Sequence, residues 1–477
     1  MDKYKKLASN TIIFAIGTFS SKILSFLLMP FVTRMMGTGD YGAADLVQQT
    51  VNVLIPIVTL AVNSAALRFA LDKAVNKADV FTVGIRTTLI GFTIFLFFAY
   101  PISFITINDF RLGDYIILIV TFVLVSSLRQ LCQQFVRGSG YVKLYAIDGI
   151  IATATTLLFT ILFLGPFQWG VTGYIVAIIA SDACSVIFFT LTAKLYKYVK
   201  PHCLDKSISA QMIKYCAPLV PTVILWWIIN VSNRYMITYF MDTSANGLYT
   251  AASKIPNFVI LFSTIFIDAW QLSAVDEYDS KDRAAFFTKV FRVYSGGVFA
   301  VSSALILFCQ VITKILVAPS YYESWKYVPI LIIATTYSCI VNFLASVYMA
   351  EKKSVMSLLT ALSGAVTNII LGLVLIPKLG ANGAALATVC AFLMVFITRG
   401  TNTRRYIKID FKLPLMIIET LLLIVQSILM LKLESGILLY VIEGVIFVVM
   451  IVVNLRPILE LLSLIMNKFF KRNKTQE

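Results

Sequence analysis

Lys22, Arg234 and Lys254 each fall within a run of apolar residues long enough to cross a bilayer. A charged side chain at the bilayer centre costs about 2.5–3.5 kcal/mol on insertion scales, so it has to face a partner or a wet cavity and marks a functional hypothesis. Polar residues recur around these cations at helical spacing. Asp45, Gln49, Asn52 and Asn63 form a stripe along one run; Lys254, Asn257 and Asp268 share a face of another; Asn230 and Asn233 lead into Arg234. Three cations among few carboxylates suit an anionic group such as a phosphate, which arginine grips in bidentate fashion and lysine holds as a point charge. The expected lining of a central polar cavity is therefore Lys22, Arg234, Lys254, Asp45, Gln49, Asn52, Asn63, Asn230, Asn257 and Asp268. The structural alternative is a set of buried ion pairs, Lys22 with Asp45 and Lys254 with Asp268, that only hold helices together. Arg34 and Arg68 lie where their heads can snorkel to the interfaces.

Asp148, Asp182, Glu419 and Glu443 also lie in or near apolar runs. A membrane carboxylate can carry H+ or Na+, and Asp182 is the candidate for such a coupling ion; the alternative is a helix end or a bond to a neighbouring helix. No other cofactor is expected, and no metal. The single histidine, His202, lies in a polar linker, and the seven cysteines show no CxxC spacing, so they read as small hydrophobes without disulfides. The run Arg137-Gly-Ser-Gly140 lacks the strand and helix of a phosphate-binding glycine loop and reads as a turn.

The elements that must position these residues follow from composition. Of 477 residues, 59% are hydrophobic and 13% charged, far more apolar than a soluble domain. A spanning helix needs about 20 mainly apolar residues, and in lipid the backbone must satisfy itself within the segment. Runs near 9–33, 43–66, 85–107, 113–136, 145–165, 170–193, 212–240, 247–274, 287–312, 326–350, 354–376, 380–399, 412–432 and 437–455 predict an all-α integral membrane protein of about fourteen helices. No loop is long enough for a soluble catalytic domain, so no enzyme is expected. With the amino terminus inside, 31 of the 40 basic residues fall on inside segments and six outside. That asymmetry predicts both termini in the cytoplasm of a cell-membrane protein, and it explains the net charge of +16 without nucleic acid. The basic start followed by an apolar run reads as a retained first helix, being too long for a signal peptide.

The chain also repeats itself. Met36-Gly-Thr-Gly-Asp-Tyr-Gly42 matches Met241-Asp-Thr-Ser-Ala-Asn-Gly247 at an offset of 205, and Gly170-Val-Thr-Gly173 matches Gly380-Ala-Asn-Gly383 at 210. Two parallel six-helix repeats are expected, as lobes 1–200 and 201–405, followed by two further helices and a basic tail, 406–477. Parallel-repeat transporters bind substrate between their halves. The alternative for each motif alone is small-residue helix packing.

Thr33-Arg34-Met-Met-Gly37-Thr-Gly-Asp40-Tyr41-Gly42, Leu248-Tyr249-Thr-Ala-Ala-Ser-Lys254-Ile255 and Leu379-Gly380-Ala-Asn-Gly383-Ala-Ala-Leu-Ala-Thr388 resemble the polysaccharide transporter family. These are the Wzx-like flippases of the multidrug/oligosaccharidyl-lipid/polysaccharide exporter superfamily. The resemblance runs over roughly residues 5–400. It implies a V-shaped fold of two lobes that moves a lipid-linked oligosaccharide, an undecaprenyl-pyrophosphate glycan, from the cytoplasmic to the outer leaflet by alternating access. It further implies an ion gradient rather than ATP as the driving force, and membrane lipids and other polysaccharide-assembly proteins as partners. The competing functions are a lipid II flippase, a cation-coupled multidrug exporter of the same superfamily, and a membrane glycosyltransferase or polymerase. The last would carry a sizeable extracytoplasmic loop or a nucleotide-sugar domain.

Overall fold

The computed structural model describes residues 26, 28–72, 74–200, 206–276, 283–351, 354–434 and 436–474. Among them helix accounts for nearly all regular structure, because a helix closes its backbone hydrogen bonds within the segment and needs no water. In chain order the first helices are α1 (Thr38–Val58), α2 (Val62–Ala70), α3 (Lys77–Ser103), α4 (Ile116–Gly138), α5 (Val142–Leu164), α6 (Gly170–Thr192), α7 (Lys206–Cys216) and α8 (Leu219–Phe240). They are followed by α9 (Thr243–Ala252), α10 (Asn257–Asp276), α11 (Arg283–Leu307), α12 (Cys309–Leu316), α13 (Val328–Ala350), α14 (Ser354–Leu379), α15 (Ala381–Thr403), α16 (Leu413–Lys432) and α17 (Ile437–Lys474). A short hairpin, β1 (Thr106–Ile107) with β2 (Phe110–Arg111), pairs antiparallel between α3 and α4.

Eleven helical stretches are long and apolar enough to cross a membrane, and the bent pair α1–α2 adds a twelfth when taken as one span. The chain is an all-α, multi-pass membrane protein, and each of these spans overlies one of the fourteen runs read from sequence. Of the other two runs, 9–33 lies mostly outside the described residues, and 247–274 is divided between α9 and α10.

The α1–α2 span and the α9–α10 stretch are each interrupted beside a proline. Between α1 and α2 the axis turns by 58°. Pro56 has no N–H and its ring crowds the carbonyl one turn back; Leu60 and Ala61 then take left-handed φ values of 49° and 53°. Gly91 on α3 lets that helix close on the break, since a Cβ there would stand 1.8 Å from the Val58 carbonyl oxygen. Pro256 acts likewise between α9 and α10. Lys254 therefore lies in a turn rather than on one unbroken helical face with Asn257 and Asp268, and that part of the sequence expectation is corrected.

The described chain forms two compact units. One comprises residues up to Trp227 together with Ile237–Leu248 and Leu316–Tyr321; the other comprises Ile228–Met236, Tyr249–Ile315 and the residues from Tyr322 onward. In the first, α2, α3, α4, α6 and α7 bury one apolar cluster that includes Val62, Ala65, Phe135, Phe189 and Met212, with the Phe81 and Phe135 rings 4.7 Å apart. In the second, a fully buried arginine pins three helices: Arg399 on α15 donates to the Val341 carbonyl on α13 at 3.0 Å and to Thr360 Oγ1 on α14 at 3.2 Å.

Candidate functional site

In the first unit, the polar stripe expected on α1 is a hydrogen-bonded relay. Gln49 Nε2 donates to Asp45 Oδ1 at 3.1 Å, and Asn52 Nδ2 donates to Gln49 Oε1 at 3.2 Å. Spacings of four and three residues stack these side chains on one helix face. Trp227 Nε1 donates to the Gln49 carbonyl at 3.1 Å. Asn63 lies beyond the α1–α2 break and donates to Gln130 Oε1 on α4 at 3.0 Å.

The break opens onto a cavity of about 540 Å³, within the range of roughly 300–1,000 Å³ typical of small-molecule sites. Irregular backbone at membrane depth is accepted where it lines such a space. Pro56, Ala61, Asn63 and Ser64 form one wall; Gln130, Gln134 and Arg137 on α4 form another; Asn52 and Arg68 complete the polar lining. Among the described residues, no carboxylate lines the cavity. Two guanidinium groups and four amides surround the space, and the amino end of α2 adds the positive end of a helix dipole. The arrangement supplies hydrogen-bond donors and net positive charge, which is the chemistry of an anion site with sugar-type acceptors and donors beside it. Arg137 also lies over the Tyr145 ring, 5.4 Å from its centroid.

Deeper in the same unit, α4, α5 and α6 bring together one arginine and two carboxylates. Arg129 Nη1 stands 2.5 Å from Asp182 Oδ1, and its Nη2 stands 3.7 Å from Asp148 Oδ2. Ser126 Oγ donates to Asp182 Oδ2. Asp148 is fully buried and Asp182 nearly so. One guanidinium thus faces two buried carboxylates, an ion cluster with one more formal negative charge than positive.

In the second unit, Arg234 donates to Thr250 Oγ1 at 3.1 Å and to Ser253 Oγ at 3.2 Å, both on the α9 side of the proline break. Lys254 is half-buried in the turn, and Asn230 and Asn257 are exposed. Next to Arg234, the buried Asn233 Nδ2 faces three oxygens: Thr388 Oγ1 at 2.8 Å, the Ala384 carbonyl at 3.0 Å and Asn368 Oδ1 at 3.1 Å. Lys22 lies outside the described residues, as does the side chain of Asp268.

Sequence reasoning missed Gln130, Gln134 and Arg137 as a stripe at i, i+4 and i+7, a signal that was present. Arg137 was read as part of a turn, and Arg68 as an interfacial side chain. Arg129 was missed because only its spatial neighbours reveal its role.

The fold and this polar interior define a multi-helix membrane protein whose spans enclose polar space. By structure the chain is similar to the lipid II flippase MurJ in an inward closed conformation, with a TM-score of 0.67 and 14% identity over 93% of this chain and 98% of that one. It is similar as well to the Vibrio cholerae MATE transporter VcmN, with a TM-score of 0.59 and 13% identity over 84% and 97% of the two chains. These likenesses concern the fold. A 93-residue stretch, 18% of the chain, is 28% identical to Lsg locus putative protein 1 of Haemophilus influenzae and spans 22% of that protein. A model of the polysaccharide biosynthesis protein family matches residues 7–270, more than half of the sequence. The chain belongs to that family.

Proposed function

We propose that this protein moves a lipid-linked oligosaccharide, carried on undecaprenyl pyrophosphate, from the cytoplasmic to the outer leaflet of the cell membrane by alternating access. The observation that carries this reading is the cavity at the α1–α2 break, where Arg68 and Arg137 stand among Asn52, Asn63, Gln130 and Gln134, with no carboxylate among the described lining residues. A pyrophosphate is the constant anionic part of such a cargo. Arginine grips it with paired charge-assisted hydrogen bonds, and amides suit the hydroxyls of the first sugars. Arg68 and Arg137 adjoin the segments near 71–77 and 138–143, which the basic-residue bias assigns to the cytoplasm, so the cavity loads from the side where the cargo is made. Lys22, Arg234 and Lys254 are proposed as further cationic contacts along its path. The Arg129, Asp148 and Asp182 cluster is proposed as the coupling site, taking up H+ or Na+. Other polysaccharide-assembly proteins are the expected partners, and no reaction chemistry is assigned to the chain.

A lipid II flippase shares the pyrophosphate and is the second reading, favoured by the fold shared with MurJ. An exporter of cationic drugs would favour carboxylates in the lining and is disfavoured by the two arginines there. The test is expression in cells lacking their own glycan flippase. Restored surface glycan without drug resistance supports the proposal; rescue of only a lipid II flippase deficiency, or drug efflux alone, overturns it.

A further inference from the structure

The hairpin of α16 and α17 holds buried acids that the proposed transport cycle does not use. Glu443 on α17 is fully buried, and neither of its carboxyl oxygens has a hydrogen-bond partner. Gln426 on α16 faces it without closing a bond, and the Gln426 Nε2 is equally without a partner. Its Oε1 accepts from Ser303 Oγ on α11 at 2.7 Å. Glu419 on α16 is 1% exposed, and its Oε1 has no partner. It is faced by Asn454 on α17, whose Nδ2 donates to the Met450 carbonyl at 3.0 Å. The Asn454 amide fits because α11 carries Gly296 beside it, where a Cβ would stand 2.3 Å from Asn454 Oδ1.

The two rungs are reciprocal. Each helix of the antiparallel pair contributes one acid and one amide, and each rung is backed by α11, at Ser303 and at Gly296. Glu419 and Gln426 are seven residues apart on α16, about 10 Å along its axis, and Glu443 and Asn454 are eleven apart on α17, about 16 Å. Among the described residues, no lysine or arginine pairs with either acid. The other titratable groups facing them are Cys309 on α12, near Glu443, and Tyr337 on α13, near Glu419. Arg283 and Lys289 occupy the far end of α11, and Arg292, one turn from Gly296, pairs with Asp410 at 3.1 Å.

An unpaired carboxylate in such surroundings is strongly disfavoured, whereas a neutral carboxylic acid both donates and accepts. In that state the orphan atoms of the Glu443 rung are complementary: the acid supplies an O–H and a carbonyl, and Gln426 supplies an oxygen and a free N–H, while Asn454 offers Glu419 its amide oxygen.

We propose that Glu443 and Glu419 form a pair of proton-binding sites in the C-terminal hairpin, each a neutral carboxylic acid matched to an amide on the opposite helix. The ligand is H+, bound and released with the packing of α16 and α17 against α11. The experiment is infrared difference spectroscopy of the purified full-length protein in lipid, following the protonated carboxyl C=O stretch. At neutral pH each of Glu443→Gln and Glu419→Gln should remove part of that band, both variants should fold, and alkaline titration of the wild type should bleach the same component with loosening of the hairpin. A band unchanged in both variants overturns the proposal. So does failure of Glu443→Gln to fold while Glu443→Asp folds, because a site for a neutral acid must accept a neutral isostere. Export activity does not enter this readout, so the result stands apart from the proposed cargo.

Discussion

Gly42 and Gly247 mark a reciprocal crossing of α1 and α9: a Cβ on Gly42 would stand 1.9 Å from the Thr243 carbonyl oxygen, and one on Gly247 would stand 1.9 Å from that of Thr38. The offset of 205 that relates the two glycines also relates the two threonines. Segments that match in sequence thus pack on one another through matching atoms, and Asn246 Nδ2 seals the crossing by donating to the Gly42 carbonyl at 3.0 Å.

That geometry predicts that Gly42→Ala and Gly247→Ala each destabilise the protein by about 1–3 kcal/mol, the usual cost of forcing extra atoms into a packed interface. Gly444→Ala on α17 has open space around the new methyl and should be neutral or stabilising by up to ~1 kcal/mol, because alanine loses less backbone entropy in a helix. Thermal unfolding in detergent distinguishes the two cases.

Arg68→Ala and Arg137→Ala each remove a charged donor from the cavity. A hydrogen bond to a charged group contributes about 1.5–3 kcal/mol, so export should fall roughly tenfold to a hundredfold for each while membrane insertion is retained. Lys22→Ala, Arg234→Ala and Lys254→Ala should likewise insert and lose glycan export. Quantifying surface glycan against membrane abundance of each variant checks this.

Arg129→Ala strands two buried carboxylates and should cost about 3–5 kcal/mol. Adding Asp182→Asn removes one of the stranded charges and should recover part of that loss. A double-mutant cycle on thermal stability reads the coupling as the non-additive remainder.

Asp410 lies outside the spans, between α15 and α16. It accepts the Lys412 backbone N–H at 3.0 Å, with Lys412 Nζ at 3.4 Å and Arg292 Nη2 at 3.1 Å. The backbone hydrogen bond first, and the two cations after it, hold its carboxyl below the usual value. An acid depressed in the folded state contributes stability that is present above its unfolded value and lost as pH falls through the folded one. Asp410→Asn should therefore lower stability at neutral pH and flatten its acid limb, below about pH 4. Unfolding midpoints across an acid series check this.

The helical architecture was legible because apolar length is a one-dimensional signal, and the stripe Asp45, Gln49, Asn52 was legible because helical periodicity is local. The turn of the chain at Leu60 and Ala61 was not. Pro56 announces a weakness in α1, yet the left-handed φ values that follow depend on Gly91 yielding space on α3. For the same reason Arg68 and Arg137, 69 residues apart in sequence, were each read singly and given bland roles. Only the packing of α2 on α4 makes them one site.

The most direct test of the anion-site assignment is flipping of a labelled undecaprenyl-pyrophosphate glycan in proteoliposomes containing the wild type or the Arg68→Gln/Arg137→Gln double variant. The account predicts flipping by the wild type, loss in the double variant, and inhibition of the wild type by inorganic pyrophosphate. Equal flipping by both proteins, insensitive to pyrophosphate, would contradict it.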